Sequence, residues 1–150
     1  LRKSIPGVKD VQIPNSGCAA FTAFISIRQT RPGEAKHAIS IALGVDHYLK
    51  FVVIVDDDVD VFNDSDVIWA MTTRVQADRD LVIIPGALGA ILDPSASEQG
   101  VTAKLGVDAT KPTDDPFAER LQMDTEKMAW ARDLAERLRP PRLQEVSKAV

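Results

Sequence analysis

Cysteine, histidine and clustered basic residues are what this sequence has least of. A single cysteine, Cys18, stands among 150 residues, so no disulfide can close within the chain. That fits a reducing compartment, and the expected location is cytoplasmic. Two histidines and one cysteine cannot furnish the usual Cys/His zinc site. No apolar run approaches the roughly 20 residues that span a bilayer, and Leu1-Arg2-Lys3-Ser4-Ile5-Pro6 lacks the long apolar stretch of a signal peptide. An initiator methionine is also missing, so the chain is expected to begin inside a longer protein or to have been trimmed. Lys and Arg number 18 against 22 Asp and Glu, a net charge of -4 with no basic stripe, which argues against a nucleic-acid partner.

What is present suits one soluble core: 45% hydrophobic and 27% charged residues, in a length that buries roughly 68–70% of its unfolded surface. Val8–Gln12 and Ala20–Gln29 read as strands separated by the turn Asn15-Ser16-Gly17, since Phe21, Ala23, Ile25 and Ile27 recur with period two. Pro32 suits a first helical position, and Ala35, Ala38, Ile39, Ala42 and Leu43 share one helical face. Phe51-Val52-Val53-Ile54-Val55 is apolar on both faces and predicts a central strand. Asn63, Asp64 and Ser65 can cap a helix from about Asp66 to Val75. Leu81-Val82-Ile83-Ile84, closed by Pro85-Gly86, reads as a second buried strand, adjacent and parallel to the first in a βαβ unit. Ala87 to Pro116 reads as a long loop, and Asp124 to Arg139 as a helix ended by Pro140-Pro141. The expected fold is therefore α/β: a layered domain with a central, largely buried sheet, helices packed on it, a long loop after a central strand and a C-terminal helix. The expected division is residues 1–120 as the α/β domain and 121–150 as the helix and tail. The helical stripe Met123, Trp130, Leu134 and Leu138 would there contact another domain or protomer.

Asp56-Asp57-Asp58-Val59-Asp60 ends the central strand, where carboxylates can hold Mg²⁺ and position a phosphate. Neither Asp56-x-Asp58-x-Asp60 nor Asp58-x-Asp60-x-Phe62 completes a dehalogenase-type phosphatase motif, and Asp10 makes a poor earlier-strand partner. Turn capping and solvation of a strand end is the plainer role. His37 and His47 lack an acid and a nucleophile at suggestive spacing, and Cys18 between Gly17 and Ala19 reads as a small packed thiol. By position the best candidate is Gly86 to Thr110, which follows a strand. In it Lys104, among Thr102, Gly106 and Thr110, could bind a phosphate as a point charge.

Several of these segments resemble the UbiD family of non-oxidative decarboxylases. They are Lys50–Val61 (KFVVIVDDDVDV), Asp66–Arg74 (DVIWAMTTR), Asp78-Arg79-Asp80, Leu92-Asp93-Pro94 and Lys104–Thr110 (KLGVDAT), with Gly17-Cys18 and Gly33-Glu34-Ala35-Lys36 upstream in the same order. The likeness runs from about Leu1 to Thr110 and corresponds to that family's C-terminal domain. It implies an enzyme adding or removing CO₂ on an aromatic or α,β-unsaturated carboxylic acid. The implied cofactors are prenylated FMN as electron sink, a divalent Mn²⁺ or Mg²⁺, and K⁺ at the flavin phosphate. It also implies that the catalytic Arg and two Glu residues and the metal ligands lie in an N-terminal portion with no counterpart here. The isolated chain should then be inactive, closing over the site and building oligomer contacts within a larger enzyme. Lys104 matches a position from which some members reach the cofactor phosphate, and Ala87 to Leu92 is expected to border the substrate pocket. Two alternatives stand beside this: a small non-catalytic subunit of a multi-subunit carboxylase, and a Mg²⁺-dependent phosphatase using Asp56 and Asp58.

Overall fold

A computed structural model describes residues 4–5, 7–18, 20–121 and 123–139. The chain divides into two compact units, Leu1–Phe117 and Ala118–Val150. In the first, the elements run β1 (Val8–Gln12), β2 (Thr22–Ile27), α1 (Glu34–Val45), β3 (Phe51–Asp56), α2 (Asp64–Arg74), β4 (Leu81–Leu88) and β5 (Val101–Ala109). The five strands form one sheet in the order β1-β2-β3-β5-β4. β2, β3 and β5 are parallel, while β1 and β4 run antiparallel to their neighbours at the two edges.

Alternation along the strands gives each face of the sheet its own core cluster. Ala23, Ile25, Ile27, Val52 and Ile54 point to one side, where Ala35, Ala38, Ile39, Ala42 and Leu43 of α1 cover them. Phe24, Val53, Val55, Val107 and Ala109 point to the other, against Val67 and Ala70 of α2 and against Val59 and Val61. Each large apolar side chain so buried is worth roughly 1.5–3 kcal/mol, which makes β3, apolar on both faces, the spine of the domain. Gly106 in β5 is where α1 comes closest: a Cβ there would overlap the Ile39 side chain. Asn63 caps α2 by accepting from the Ser65 amide at 3.1 Å.

Three sequence expectations are corrected. β3 and β4 are not neighbours: β5 lies between them, and β4 is an antiparallel edge strand. The stretch Ala87 to Pro116 is not one loop, because β4 continues past Pro85-Gly86 through a register shift to Leu88, and Val101–Ala109 is a strand. The reason is that on the α1 side β5's buried positions carry Thr102, Lys104 and Gly106, which no apolar-pattern reading picks out. Helix α1 starts at Glu34 behind a Gly33 N-cap at φ 88°, so Pro32 precedes the helix.

The second unit contains α3 (Thr125–Leu138), capped by Asp124, whose carboxylate accepts from the Glu126 and Lys127 amides. Trp130, Leu134 and Leu138 are exposed on it. Pro140 and Pro141, read as its stop signal, lie outside the described residues. Among the described residues no helix is long and apolar enough to cross a membrane.

Candidate functional site

The carboxyl ends of β2, β3 and β5 open on one side of the sheet, and the chain leaves β2 toward α1 and β3 toward α2, on opposite faces. Such a divergence leaves a crevice where α/β sheets gather polar groups. Here it is a cleft of about 300 Å³ whose lining includes Gln29, Lys36, Arg74, Arg79, Asp108 and Lys111.

Arg74 organises its floor. The residue falls at the inward spacing of α2 with Val67 and Ala70, so its guanidinium is carried into the domain and is only 1% exposed. There Nη1 donates to Asp56 Oδ2 at 2.8 Å and to Asp58 Oδ1 at 3.1 Å, and Nη2 donates to Asp58 Oδ2 at 3.0 Å. Cζ lies 5.1 Å from the Trp69 ring centroid, a cation–π contact. Lys111, just beyond β5, donates its amide to Asp56 at 2.7 Å and its ammonium to Asp58 at 3.0 Å. Its carbonyl accepts from Gln29 Nε2 at 3.2 Å. Burial pushes the Asp56 carboxyl above the ordinary range despite these donors. For Asp58 burial also pushes upward, but the hydrogen bonds from Arg74 and Lys111 outweigh it and the net shift is downward. Asp57 points away to Arg28 Nε at 2.7 Å, and Asp60 accepts from the Phe62 amide. The acidic run is therefore a clamp joining β3, α2 and the exit of β5. Among the described residues no group of three or more His, Cys, Asp or Glu could hold a metal ion.

Lys104 sits in β5 rather than in a loop. It is 4% exposed on the face covered by α1. Its ammonium donates to the carbonyls of Leu43 at 3.1 Å, Asp46 at 3.3 Å and His47 at 3.2 Å. These close the C-terminus of α1, whose last carbonyls have no intrahelical partner. Burial lowers the Lys104 pKa, partly opposed by Asp46.

At the opposite end of the sheet, Lys50 and Asp93 fix the loop between β4 and β5. Lys50 Nζ donates to Asp93 Oδ2 at 2.7 Å and also reaches Ser95 Oγ. Asp93 Oδ1 accepts the Ser95 amide at 2.9 Å and its hydroxyl at 2.8 Å. The Lys50 and Ser95 donors hold the Asp93 carboxyl down to about 2. So held, the loop presents Ile91 and Leu92 at 80% and 79% exposure. Neither Lys50 nor Arg74 stands out as a site residue from composition, although an arginine at inward helical spacing signals a buried acid partner. The side chains of His37 and His47 are exposed, and His47 enters the Lys104 cluster only through its backbone carbonyl; Cys18 is exposed and is not the packed thiol its small neighbours suggested.

A family model described as the 3-octaprenyl-4-hydroxybenzoate carboxy-lyase C-terminal domain matches residues 1–109. The anhydromevalonate phosphate decarboxylase of Aeropyrum pernix is 46% identical over 114 residues, 76% of this chain and 26% of that protein. The same-named enzyme of Methanothermobacter thermautotrophicus is 41% identical over 112 residues, 75% and 26% of the two chains. Among solved structures, the UbiD-class enzyme HmfF from Pelotomaculum thermopropionicum, in complex with FMN, superposes with a TM-score of 0.79 at 40% identity. That match covers 87% of this chain and 30% of the other. The vanillic acid decarboxylase of Sedimentibacter hydroxybenzoicus in closed form gives 0.73 at 31% identity, over 93% and 30%. The chain spans about a quarter of the length of the curated relatives it matches.

Proposed function

The chain belongs to the UbiD carboxy-lyase family, in which it corresponds to the C-terminal domain, and on that premise we propose that it is the closing domain of a non-oxidative decarboxylase. Its substrate class is an aromatic or α,β-unsaturated carboxylic acid. The observation that carries the reading is the family match over residues 1–109 in a chain that superposes on a flavin-bound UbiD-class enzyme. The cofactor is prenylated FMN with Mn²⁺ or Mg²⁺ and K⁺, held by the remainder of the enzyme. When bound, that flavin supplies the electron sink for loss of CO₂.

What this chain's own residues do is position and exclude. The loop fixed by Lys50 and Asp93 offers Ile91 and Leu92 as an apolar lip. Closing such a lip over a reacting carboxylate expels water and strengthens the electrostatics inside. At the other end of the sheet the Asp56–Arg74–Asp58–Lys111 clamp ties β3, α2 and the exit of β5 together. A metal-dependent phosphatase reading loses its ligands here, since Asp56 and Asp58 are engaged by Arg74 and Lys111.

A flavin-phosphate role does not fit the Lys104 arrangement: its ammonium is buried and directed at three carbonyls. The role those partners favour is that of a helix cap. The exposed Trp130, Leu134 and Leu138 of α3 supply an oligomer contact in this reading. Relatives include an HmfF form described as dimeric. The test is CO₂ release from aromatic and unsaturated acids by the complete enzyme loaded with prenylated FMN. Absence of turnover on every member of both acid classes would overturn the proposal.

A further inference from the structure

One face of the sheet is left half bare. On the α1 side β5 is sealed: Thr102 and Lys104 are 8% and 4% exposed and Gly106 is buried. On the α2 side only the carboxyl half is covered, by a helix of 11 residues, about 16 Å long. Beyond it lie two apolar rows. Phe51, Leu105 and Ile83 are register partners across β3, β5 and β4. Val101 and Leu88 pair at the far end. Phe51 is 41% exposed, Val101 42%, Ile83 65% and Leu88 66%. A bare apolar patch on a sheet whose opposite face is covered by a helix marks an interface.

Resting on the reading above, we infer that this bare face is the surface on which the catalytic portion of the same enzyme docks. Three observations select that occupant. The matched relatives carry roughly three quarters of their length outside the aligned region, since this chain covers 26% of each. The rows run directly into the loop that carries Ile91 and Leu92, because Leu88 and Val101 flank it, so the patch continues the proposed active-site lip. Strand addition by a second copy along β4 is disfavoured. Pro85 has no amide hydrogen to offer, Gly86 takes φ 65°, and the register breaks between Ile84 and Ala87. An occupant must therefore cover the face rather than extend the sheet.

The test compares cysteine reactivity in two proteins, the 150-residue chain and the complete enzyme, both carrying Cys18→Ser. Ile83→Cys and Val101→Cys report on the face, and Ser40→Cys on the outer side of α1 is the control. Maleimide rates are referred to those of the denatured protein. The expected result is fast labelling of residues 83 and 101 in the 150-residue chain and slowing of at least about tenfold in the complete enzyme, as in an interface that excludes water, with residue 40 unchanged. Equal rates in both proteins overturn the inference. So does protection in the 150-residue chain that grows with its concentration alongside a doubled mass in light scattering, which assigns the face to a second copy. The mass of the protein isolated from its source tests the underlying reading separately. A mass no larger than this chain removes the catalytic portion, and with it both proposals, whatever the labelling shows.

Discussion

The ammonium of Lys104 lies 3.1 Å from the carbonyl oxygen of Leu43, a residue 61 positions earlier in the chain. Strand β5 thereby closes the end of helix α1 with a buried cation. Lys104→Met keeps the stem and removes the donor, leaving the carbonyls of Leu43, Asp46 and His47 short of a partner. A lost hydrogen bond from a charged group costs about 1.5–3 kcal/mol, so denaturant unfolding should shift by that amount. A flavin-phosphate contact at Lys104 gives the opposite pattern: unchanged unfolding and weaker flavin retention.

Arg74→Met should be the most damaging change at the clamp. It leaves Asp56 and Asp58 with only the Lys111 donors, and their side chains are 14% and 38% exposed. Breaking a buried pair by removing one partner costs about 3–5 kcal/mol, and the partial exposure of Asp58 places the expected loss toward the lower end. Replacing Asp58 by Asn should cost less than replacing Arg74, because Asp56 and the guanidinium still pair. Equal losses for the two variants in thermal unfolding would contradict the arrangement.

Two carboxyls, Asp93 and Asp108, should respond to acid with opposite signs. Asp93 titrates at about 2, below the ordinary carboxyl near 3.9. Its contribution to stability is present above the unfolded value and is lost as pH falls from about 4 through 2. Hydrogen exchange in the loop of residues 89–100 should accelerate across that window, and Asp93→Asn should flatten the change. Asp108 behaves the other way. Burial raises its pKa against the Thr110 hydrogen bonds, so its ionisation weakens the fold as pH rises past the ordinary carboxyl range. Asp108→Asn, which keeps an acceptor for Thr110, should hold or raise stability at neutral pH. A clear loss there would contradict the cause given for the shift.

Gly106→Ala tests the packing of α1 on β5. The added methyl overlaps the Ile39 side chain, and Ile39 is fully buried. Overpacking of this kind costs about 1–3 kcal/mol. A double variant with Ile39→Val should recover part of it in the same unfolding measurement.

How far the fold was legible depended on side-chain chemistry. Phe51 to Val55 are apolar on both faces, and their central place follows from that alone. Asn63 marks the start of α2 because capping is a local interaction. β5 is hidden in the sequence because its α1-side face is Thr102, Lys104 and Gly106, residues whose burial depends on α1 arriving from elsewhere. That missing strand then misplaced β4 beside β3. The acidic run is visible, but nothing local ties it to Arg74, which lies inside a predicted helix 16 to 18 residues away. Motif likeness supplied the family, whereas the clamp, the Lys50–Asp93 pin and the bare sheet face required coordinates.

In the function proposed above, this domain closes a decarboxylase active site built by another part of the enzyme. The most direct measurement is CO₂ release by the enzyme loaded with prenylated FMN, with this domain present and with it removed, at equal flavin content. Misplacing a closing element can cost about a hundredfold in rate. The predicted result is a loss of at least about that size on removal, recovered in part when the 150-residue chain is added back. Undiminished turnover without the domain would contradict the claim.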